Sequence, residues 1–312
     1  MKLKFGPRRV AAIGALTYLT GLLFTVVYLT TPRRVARLIA ELCRPEDGMS
    51  CYDPCCGSGR LPVEVQRATG RRFPGGRVRI FAQEIDPISF LFAVVGRKLH
   101  GLKMTLKPGS SIRDPAFVDA TGELQRFDLA VASPPWNHVV SEAIYEKDRF
   151  KRFPFGWPPN NGDWIWMQHI LAHLDVGGRM VAMLDRDAVS RADDPIEVGV
   201  RQHFVESDLV EAVVLCPWEI SRPRWLAHFA LQQAVLIVVN TAKKRRGETL
   251  FVDTRPLVSR YLAGELTADA VHSSVIDALH NWTSIPGVAE IVPNSVVAKS
   301  GYTLAPELHC AG

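Results

Sequence analysis

The chain has 312 residues, 47% of them hydrophobic and 22% charged, with a formal net charge of +5 at pH 7. That is enough apolar material for a sizeable core and an ordinary charge content for a soluble protein, so one large domain, or one domain with a small appendage, is expected. The mild basic surplus is compatible with a polyanionic partner without selecting one.

Residues 1–30 read as an apolar N-terminal segment. Val10–Pro32 carries no charge and follows Arg8-Arg9, so its length admits a transmembrane span or a signal sequence. Gly14, Thr17, Tyr18, Thr20, Gly21, Thr25 and Tyr28 interrupt it, and no small-residue cleavage site follows. A buried helix or packing surface is the preferred expectation, with a membrane span as the alternative.

"TTPRRVARLIAELC" then predicts a helix capped by Thr31, with Pro32 in its first turn. "MSCYDP" predicts the first strand, "RLPVEVQRAT" a helix and "RVRIFAQEID" the second strand. "PISFLFAVVGRKLHG" is helical and closed by Gly101, and "KMTLKPGSSI" and "FDLAVAS" are the third and fourth strands. "GDWIWMQHILAHLDVGG" predicts a helix stopped by its Gly-Gly, with its tryptophans in the core, and "RMVAMLDR" the fifth strand. "PIEVGVRQHFVESD" is a helix, while "LVEAVVLCP" and "LQQAVLIVVN" are the sixth and seventh strands. The charge run "KKRRGE" predicts a solvated hairpin turn into "TLFVDT", with phosphate contact as the second reading. Beyond about Thr254 the pattern weakens toward helix or loop. Strands alternating with helices imply βαβ units and a largely parallel sheet. The six cysteines (Cys43, Cys51, Cys55, Cys56, Cys216 and Cys310) show no even ladder, no CxxC pair and no histidine at finger spacing. A reduced, cytoplasmic protein with no metal site is expected.

Two turns carry the chemistry. In "YDPCCGSG", Gly57 and Gly59 permit a tight strand-to-helix turn whose helix offers its N-terminus to a polar ligand. Glu84 ends the next strand about 25 residues on, a spacing that suits a carboxylate accepting both hydroxyls of a ribose. Together they imply an adenosine-containing cofactor. The second turn, "SPPW", ends a buried strand: Pro134 and Pro135 cannot donate to a ladder, so the strand stops there. The Ser133 hydroxyl and the Pro134 carbonyl are acceptors for the two hydrogens of an exocyclic amine, and Trp136 offers a face for a flat base. Such an amine is a poor nucleophile because its lone pair is delocalised into the ring. Two acceptors can draw the nitrogen toward tetrahedral geometry, and in-line attack on a methyl sulfonium then needs mainly positioning and acceptors for the charge developing on nitrogen. Arg149, Lys151 and Arg152, interleaved with Phe150, Phe153 and Phe155, form a basic-aromatic stretch. It reads equally as a DNA-contacting loop and as a solvated one.

On these residues the chain resembles the S-adenosylmethionine-dependent DNA amino-methyltransferases, most closely the N6-adenine modification subunits of type I restriction systems. "YLTTPRRVARLI" is similar to that family's "YTP" segment, "YDPCCGSG" to its "DPxxGSG" and "FAQEID" to its "GQE" strand. "FPFGWPPNNGDWIWMQHILAHLDVGGRMVAMLDRDAV", "GVRQHFVESDLVEAVVLCP" and "LQQAVLIVVN" follow in the family's order, and the likeness covers roughly residues 25–255. The resemblance implies a doubly wound α/β fold with a seven-stranded, mostly parallel sheet and S-adenosylmethionine as cofactor. It divides the chain into the apolar segment 1–30, a catalytic domain 31–255 and an extension 256–312. By carry-over, Thr31, Pro32, Asp53, Pro54, Gly57, Gly59, Glu84, Ile85 and Ser133 would bind the cofactor. Ser133, Pro134, Pro135 and Trp136 would hold a base of DNA.

Three departures stand beside that resemblance. The family reads "NPPF" where this chain has "SPPW", a pattern typical of cytosine-N4 methyltransferases, so adenine is favoured with cytosine open. The family's acidic residue in the loop after the third strand is replaced here by Ser110 and Ser111. The family's long helical region before "YTP" has only about 30 counterpart residues here, which leaves a non-catalytic subunit of a modification or defence complex as a rival reading. Residues 256–312 are too few for a large target reader, so sequence specificity is expected from a separate subunit, or from a homo-oligomer, and no membrane partner is expected.

Overall fold

The protein is described by a computed structural model over residues 31–221 and 233–311. The transmembrane-or-packing alternative for Val10–Pro32 falls almost wholly outside these residues. Among the described residues no helix is long and apolar enough to cross a membrane.

The first helix, α1 (Arg33–Cys43), begins one residue later than predicted, with Pro32 at the cap position and no side-chain cap. Thr31 therefore does not cap it. Then follow β1 (Ser50–Asp53), α2 (Arg60–Arg72), β2 (Arg79–Glu84), α3 (Pro87–Leu99), β3 (Met104–Pro108) and β4 (Phe127–Ala132). Next come the short α4 (Ala143–Glu146), α5 (Asp163–Ala172), β5 (Leu174–Asp185) and α6 (Pro195–Glu206). The strands β6 (Val210–Leu215), β7 (Ala234–Asn240) and β8 (Glu248–Val252) lead into α7 (Arg255–Leu262) and α8 (Ala268–Asn281). The chain closes with β9 (Ala289–Pro293), α9 (Asn294–Lys299) and α10 (Pro306–His309).

The described strands form one nine-stranded sheet in the order β3-β2-β1-β4-β5-β7-β6-β8-β9. The fold class is the expected α/β, mostly parallel sheet, but the strand number is corrected from seven to nine. The difference lies in β8 and β9. β8 pairs parallel with β6 and antiparallel with β9. β8 does not pair with β7, so "KKRRGE" is not a hairpin turn but a connection that passes over β6. Its first lysine is not solvated either: Lys243 is buried, donates to the Val210 and Glu248 carbonyls, and forms an ion pair with Asp208.

A second correction concerns α5. It ends at Ala172, and "LDVGG" belongs to β5. The two strand segments of β5 are separated by an irregularity opposite Phe127 and Leu129, where Gly177 takes a positive φ of 84°. The glycines thus permit a bulge rather than stop a helix.

Both faces of the sheet are covered, which is why β5, β6 and β7 read as nearly continuous apolar runs rather than alternating ones. One core cluster joins Leu38 and Ile39 of α1, Leu61 of α2 and Val271 of α8 to the sheet. The other joins Trp164 of α5, Phe204 of α6 and Val297 of α9 to its opposite face. The tryptophans of α5 expected in the core, Trp164 and Trp166, are buried, and so is Trp157 just before the helix.

The parallel pairing of β1 with β2 and with β4 sends their C-terminal ends to the same edge of the sheet. After β3 the chain crosses back to β4, on the other side of β1. That reversal opens a crevice at the C-terminal ends of β1 and β4, the position where open α/β sheets bind ligands.

Candidate functional site at the carboxyl edge of the sheet

Asp53 ends β1 and is fully buried. Its Oδ1 accepts from the Cys55 amide at 3.2 Å, and its Oδ2 is buried with no hydrogen-bond partner. Burial pushes its pKa well above the ordinary carboxylate range, and the nearby Glu84 charge pushes the same way against the Cys55 hydrogen bond. The turn that follows needs its glycines. Gly57 has φ 55° and Gly59 φ 83°, with Gly59 at the cap of α2. At Gly59 an added Cβ would sit 3.6 Å from Ala93 of α3, an ordinary contact, so the positive φ rather than crowding selects glycine.

Glu84, at the end of β2, reaches across to this turn. Its Oε2 accepts from the Gly57 amide at 2.7 Å and its Oε1 from the Asp86 amide at 2.7 Å. Ile85 beside it is an exposed apolar side chain, 69% accessible. Gln83 secures the neighbouring loop, donating to the Asp114 carbonyl and accepting from the Ala116 amide. In that loop Ser111 is buried and donates to the Pro54 carbonyl at 2.7 Å. The loop also carries an exposed acid, Asp114, a few residues beyond Ser110 and Ser111.

The "SPPW" turn lies beside the "YDPCCGSG" turn. The strands that the two turns follow, β1 and β4, pair in parallel, so the turns leave the same edge side by side. Ser133 is half-buried, Pro134 buried, Pro135 exposed and Trp136 half-buried. The Trp136 indole donates to the Met183 carbonyl at 3.2 Å and packs edge-on against Trp218, ring centroids 6.2 Å apart. It is thereby anchored to the end of β5. Asn137 directly after it takes φ 52°. The structure thus brings Asp53, Pro54, Gly57, Gly59, Glu84, Ser133, Pro134 and Trp136 to one crevice edge, with Ile85 and Pro135 exposed at it. Pro32 stands at the start of α1, and Thr31 immediately precedes it.

Two networks around the crevice escaped the sequence analysis. In the first, Arg191 donates to Asn137 Oδ1 at 3.0 Å, to the buried Asp163 at 2.7 Å and to Glu197 at 3.2 Å. It ties the residue after the "SPPW" turn to α5 and α6. Burial raises the Asp163 pKa, and Arg191 opposes that shift. In the second, Arg152 donates to the Ser111 carbonyl at 3.0 Å, the Ile112 carbonyl at 2.7 Å, Asp148 at 2.9 Å and His169 Nδ1 at 2.9 Å. Arginine can only donate, so His169 Nδ1 accepts; the neutral ring then carries its proton on Nε2, which faces the Tyr52 hydroxyl at 3.0 Å. Burial holds His169 well below its ordinary pKa, with His173 and Arg152 adding to that shift, so the neutral ring is the stable form. The signals were present in the matched motifs: Asp163 and His169 both fall within "GDWIWMQHI". The basic-aromatic stretch divides accordingly. Arg152 and Phe153 are buried structural members, whereas Arg149 and Lys151 are exposed.

The profile of a family described as N-6 DNA Methylase matches residues 27–312. The methylase subunit of the type I restriction enzyme MjaVII of Methanocaldococcus jannaschii is 29% identical over 89% of this chain and 48% of its own length. The methylase subunit of the type I restriction enzyme HindI of Haemophilus influenzae is 27% identical over 82% of this chain and 56% of its own length. The chain therefore spans about half the length of the curated relatives it matches. Among solved structures, the type I restriction-modification methyltransferase subunit of Streptococcus thermophilus shares the fold, with a TM-score of 0.72 at 20% identity over 88% of this chain and 58% of that one.

Proposed function

The chain belongs to the N-6 DNA methylase family, and from that premise we propose that it transfers a methyl group from S-adenosylmethionine to the exocyclic amine of a base in DNA, adenine N6. The observation that carries the reading is the juxtaposition of two turns at one sheet edge. The acid-and-glycine turn, with Glu84 on the Gly57 amide, and the acceptor turn follow the paired strands β1 and β4 at their carboxyl ends.

The cofactor fits the residues present. Asp53 brings a buried carboxylate oxygen with no partner. Gly57 and Gly59 leave the turn bare of side chains, and Glu84 and Ile85 pair an acid with an exposed apolar face. In this reading Glu84 accepts the ribose hydroxyls and Ile85 covers the adenine. Asp53, Pro54, Gly57 and Gly59 line the middle of the cofactor, and Thr31 and Pro32 serve its methionine end. Bound S-adenosylmethionine supplies an electrophilic methyl group. The chain's own work is to hold the amine. Ser133 and the Pro134 carbonyl accept its two hydrogens and favour the pyramidal nitrogen, while Pro135 fixes the turn and Trp136, anchored on Met183, offers a stacking face. A base must leave the duplex to reach them.

The family and the breadth of the likeness favour adenine; Ser133 is the one feature that favours cytosine N4. Target selectivity is assigned to a separate specificity subunit or an oligomer, and the location to the cytoplasm, in keeping with six cysteines that are all free.

The test is incubation of the purified chain with S-adenosylmethionine and unmethylated genomic DNA, followed by nucleoside mass spectrometry. N6-methyladenine is expected, lost in Ser133→Ala. N4-methylcytosine would replace the adenine assignment. No product, with Ser133→Ala indistinguishable from the parent, would leave the non-catalytic subunit as the better account. Strong selectivity for one motif by the chain alone would remove the need for a specificity subunit.

A further inference from the structure

A cleft of about 510 Å³ opens between the connection after β3 and the connection after β4, lined by Arg113, Asp114, Lys147, Asp148, Arg149 and Phe150 among others. Both connections leave the carboxyl edge of the sheet, and the second is the one that carries Ser133–Trp136. Arg152 holds them together, bonding the Ser111 and Ile112 carbonyls on one side and Asp148 on the other. Asp148 is thereby consumed. Arg113, Lys147 and Arg149 are exposed and, among the described residues, take part in no ion pair, which leaves the cleft with more free cations than the single free acid Asp114. By contrast Arg67, Arg71, Arg179 and Arg201 are each paired with an acid. Arg149 lies 4.4 Å from the centre of the Phe150 ring, a contact that orients the guanidinium without neutralising it.

We infer that this cleft binds the phosphodiester backbone of the DNA strand that carries the target base, with Arg113, Lys147 and Arg149 as the phosphate contacts. The inference rests on the proposed function and deepens it, because it assigns to this chain a backbone grip of its own beside the base site. Unpaired cations on two loops whose spacing is fixed by a buried arginine are suited to phosphates, which position a strand without reading its sequence. Lys147 and Arg149 lie on the same connection as the acceptor turn, so a backbone gripped there runs along the connection that carries Ser133.

The experiment is a fluorescence-anisotropy titration of a labelled duplex with the full chain and S-adenosylhomocysteine, over a series of KCl concentrations. Each phosphate contact contributes a slope of about −0.9 to log K against log salt. The variant R113Q/K147Q/R149Q is expected to bind more weakly at low salt and to flatten the slope by about 0.9 for each contact removed. Lys299→Gln, which removes one exposed cation on α9, is expected to leave the slope as it is. An unchanged slope in the triple variant, equal flattening by Lys299→Gln, or an absence of salt-dependent binding by the parent chain would each overturn the inference. Methyl transfer measured on the same samples separates the two readings. An unchanged slope with methylation intact sinks the cleft alone. A flattened slope in a chain that methylates nothing sinks the proposed chemistry alone.

Discussion

Asp53 is the residue whose cost is plainest. A carboxylate that is fully buried, with one oxygen bonded only to the Cys55 amide and the other to nothing, destabilises the unliganded fold. Asp53→Asn keeps the acceptor for Cys55 and removes the buried charge. It is expected to raise Tm by about 2–4 °C, the shift that accompanies roughly 1 kcal/mol in a chain of this size. The same change is expected to weaken S-adenosylmethionine binding at least about tenfold, a loss of about 1.4 kcal/mol, as read by calorimetric titration. Opposite signs in the two measurements are the signature of a residue kept for a ligand rather than for stability. A lower Tm would mean the carboxylate is structurally satisfied. The candidate residues themselves were legible because each pairs an unusual residue with an unusual place: an acid at a strand end, a glycine before a helix, prolines closing a buried strand.

Between elements, the turn into α2 and the hub at Arg191 do the positioning. Gly59→Ala has room for its methyl beside Ala93 but must hold φ 83°, at a cost of about 1–2 kcal/mol. The expected outcome is a modest fall in the urea midpoint together with a larger loss of cofactor affinity, because the cap of α2 moves. Arg191→Met leaves Asp163, fully buried, without its cation. The expected penalty is about 3–5 kcal/mol, the range for breaking a buried ion pair. In the double variant with Asp163→Asn much of that stability should return. Methyl transfer should remain low, because Asn137 has still lost its Arg191 contact. Recovery of both would make the hub purely structural. Neither Arg191 nor Arg152 stood out in the sequence, since an arginine in a loop reads as solvated until the fold surrounds it. The same holds for Lys243, whose charge run looks like a surface turn and whose ammonium is buried against backbone carbonyls.

For the molecule as a whole, stability should depend on pH through its buried histidines. His173 is pushed down to about 4, mainly by burial, while its Nδ1 is held 2.8 Å from the Gln125 carbonyl. Unfolded, its pKa returns to the ordinary 6.5. Between these values the unfolded chain binds the extra proton, so stability falls as pH drops from 6.5 toward 4, by about 1.4 kcal/mol per pH unit where the difference is complete. His169, depressed in the same direction, adds to the effect. His173→Asn keeps a donor for the Gln125 carbonyl and should flatten the dependence of urea stability on pH across that window. An unchanged profile would place the titration elsewhere.

What the amino-acid order determined by itself is local. Apolar runs bounded by turn residues mark the strands through β7, and the spacing from "YDPCCGSG" to Glu84 and on to "SPPW" marks the strand ends that meet at the candidate site. These are short-range patterns, set by backbone sterics and by the missing proline donor. Tertiary structure decided what depends on partners distant in the chain. β8 lies beside β6 rather than β7, and β9 completes the sheet from a stretch whose pattern had faded. The glycines after α5 shape a bulge in β5 instead of stopping a helix, because strand pairing outweighs the local signal. Glu84 closes onto the Gly57 amide from the neighbouring strand, Arg152 joins two loops, and Arg191 gathers three elements. Such contacts have no period and no fixed spacing. They exist only once burial removes water as the competing partner, which is why the candidate residues were legible in the sequence and the scaffold around them was not.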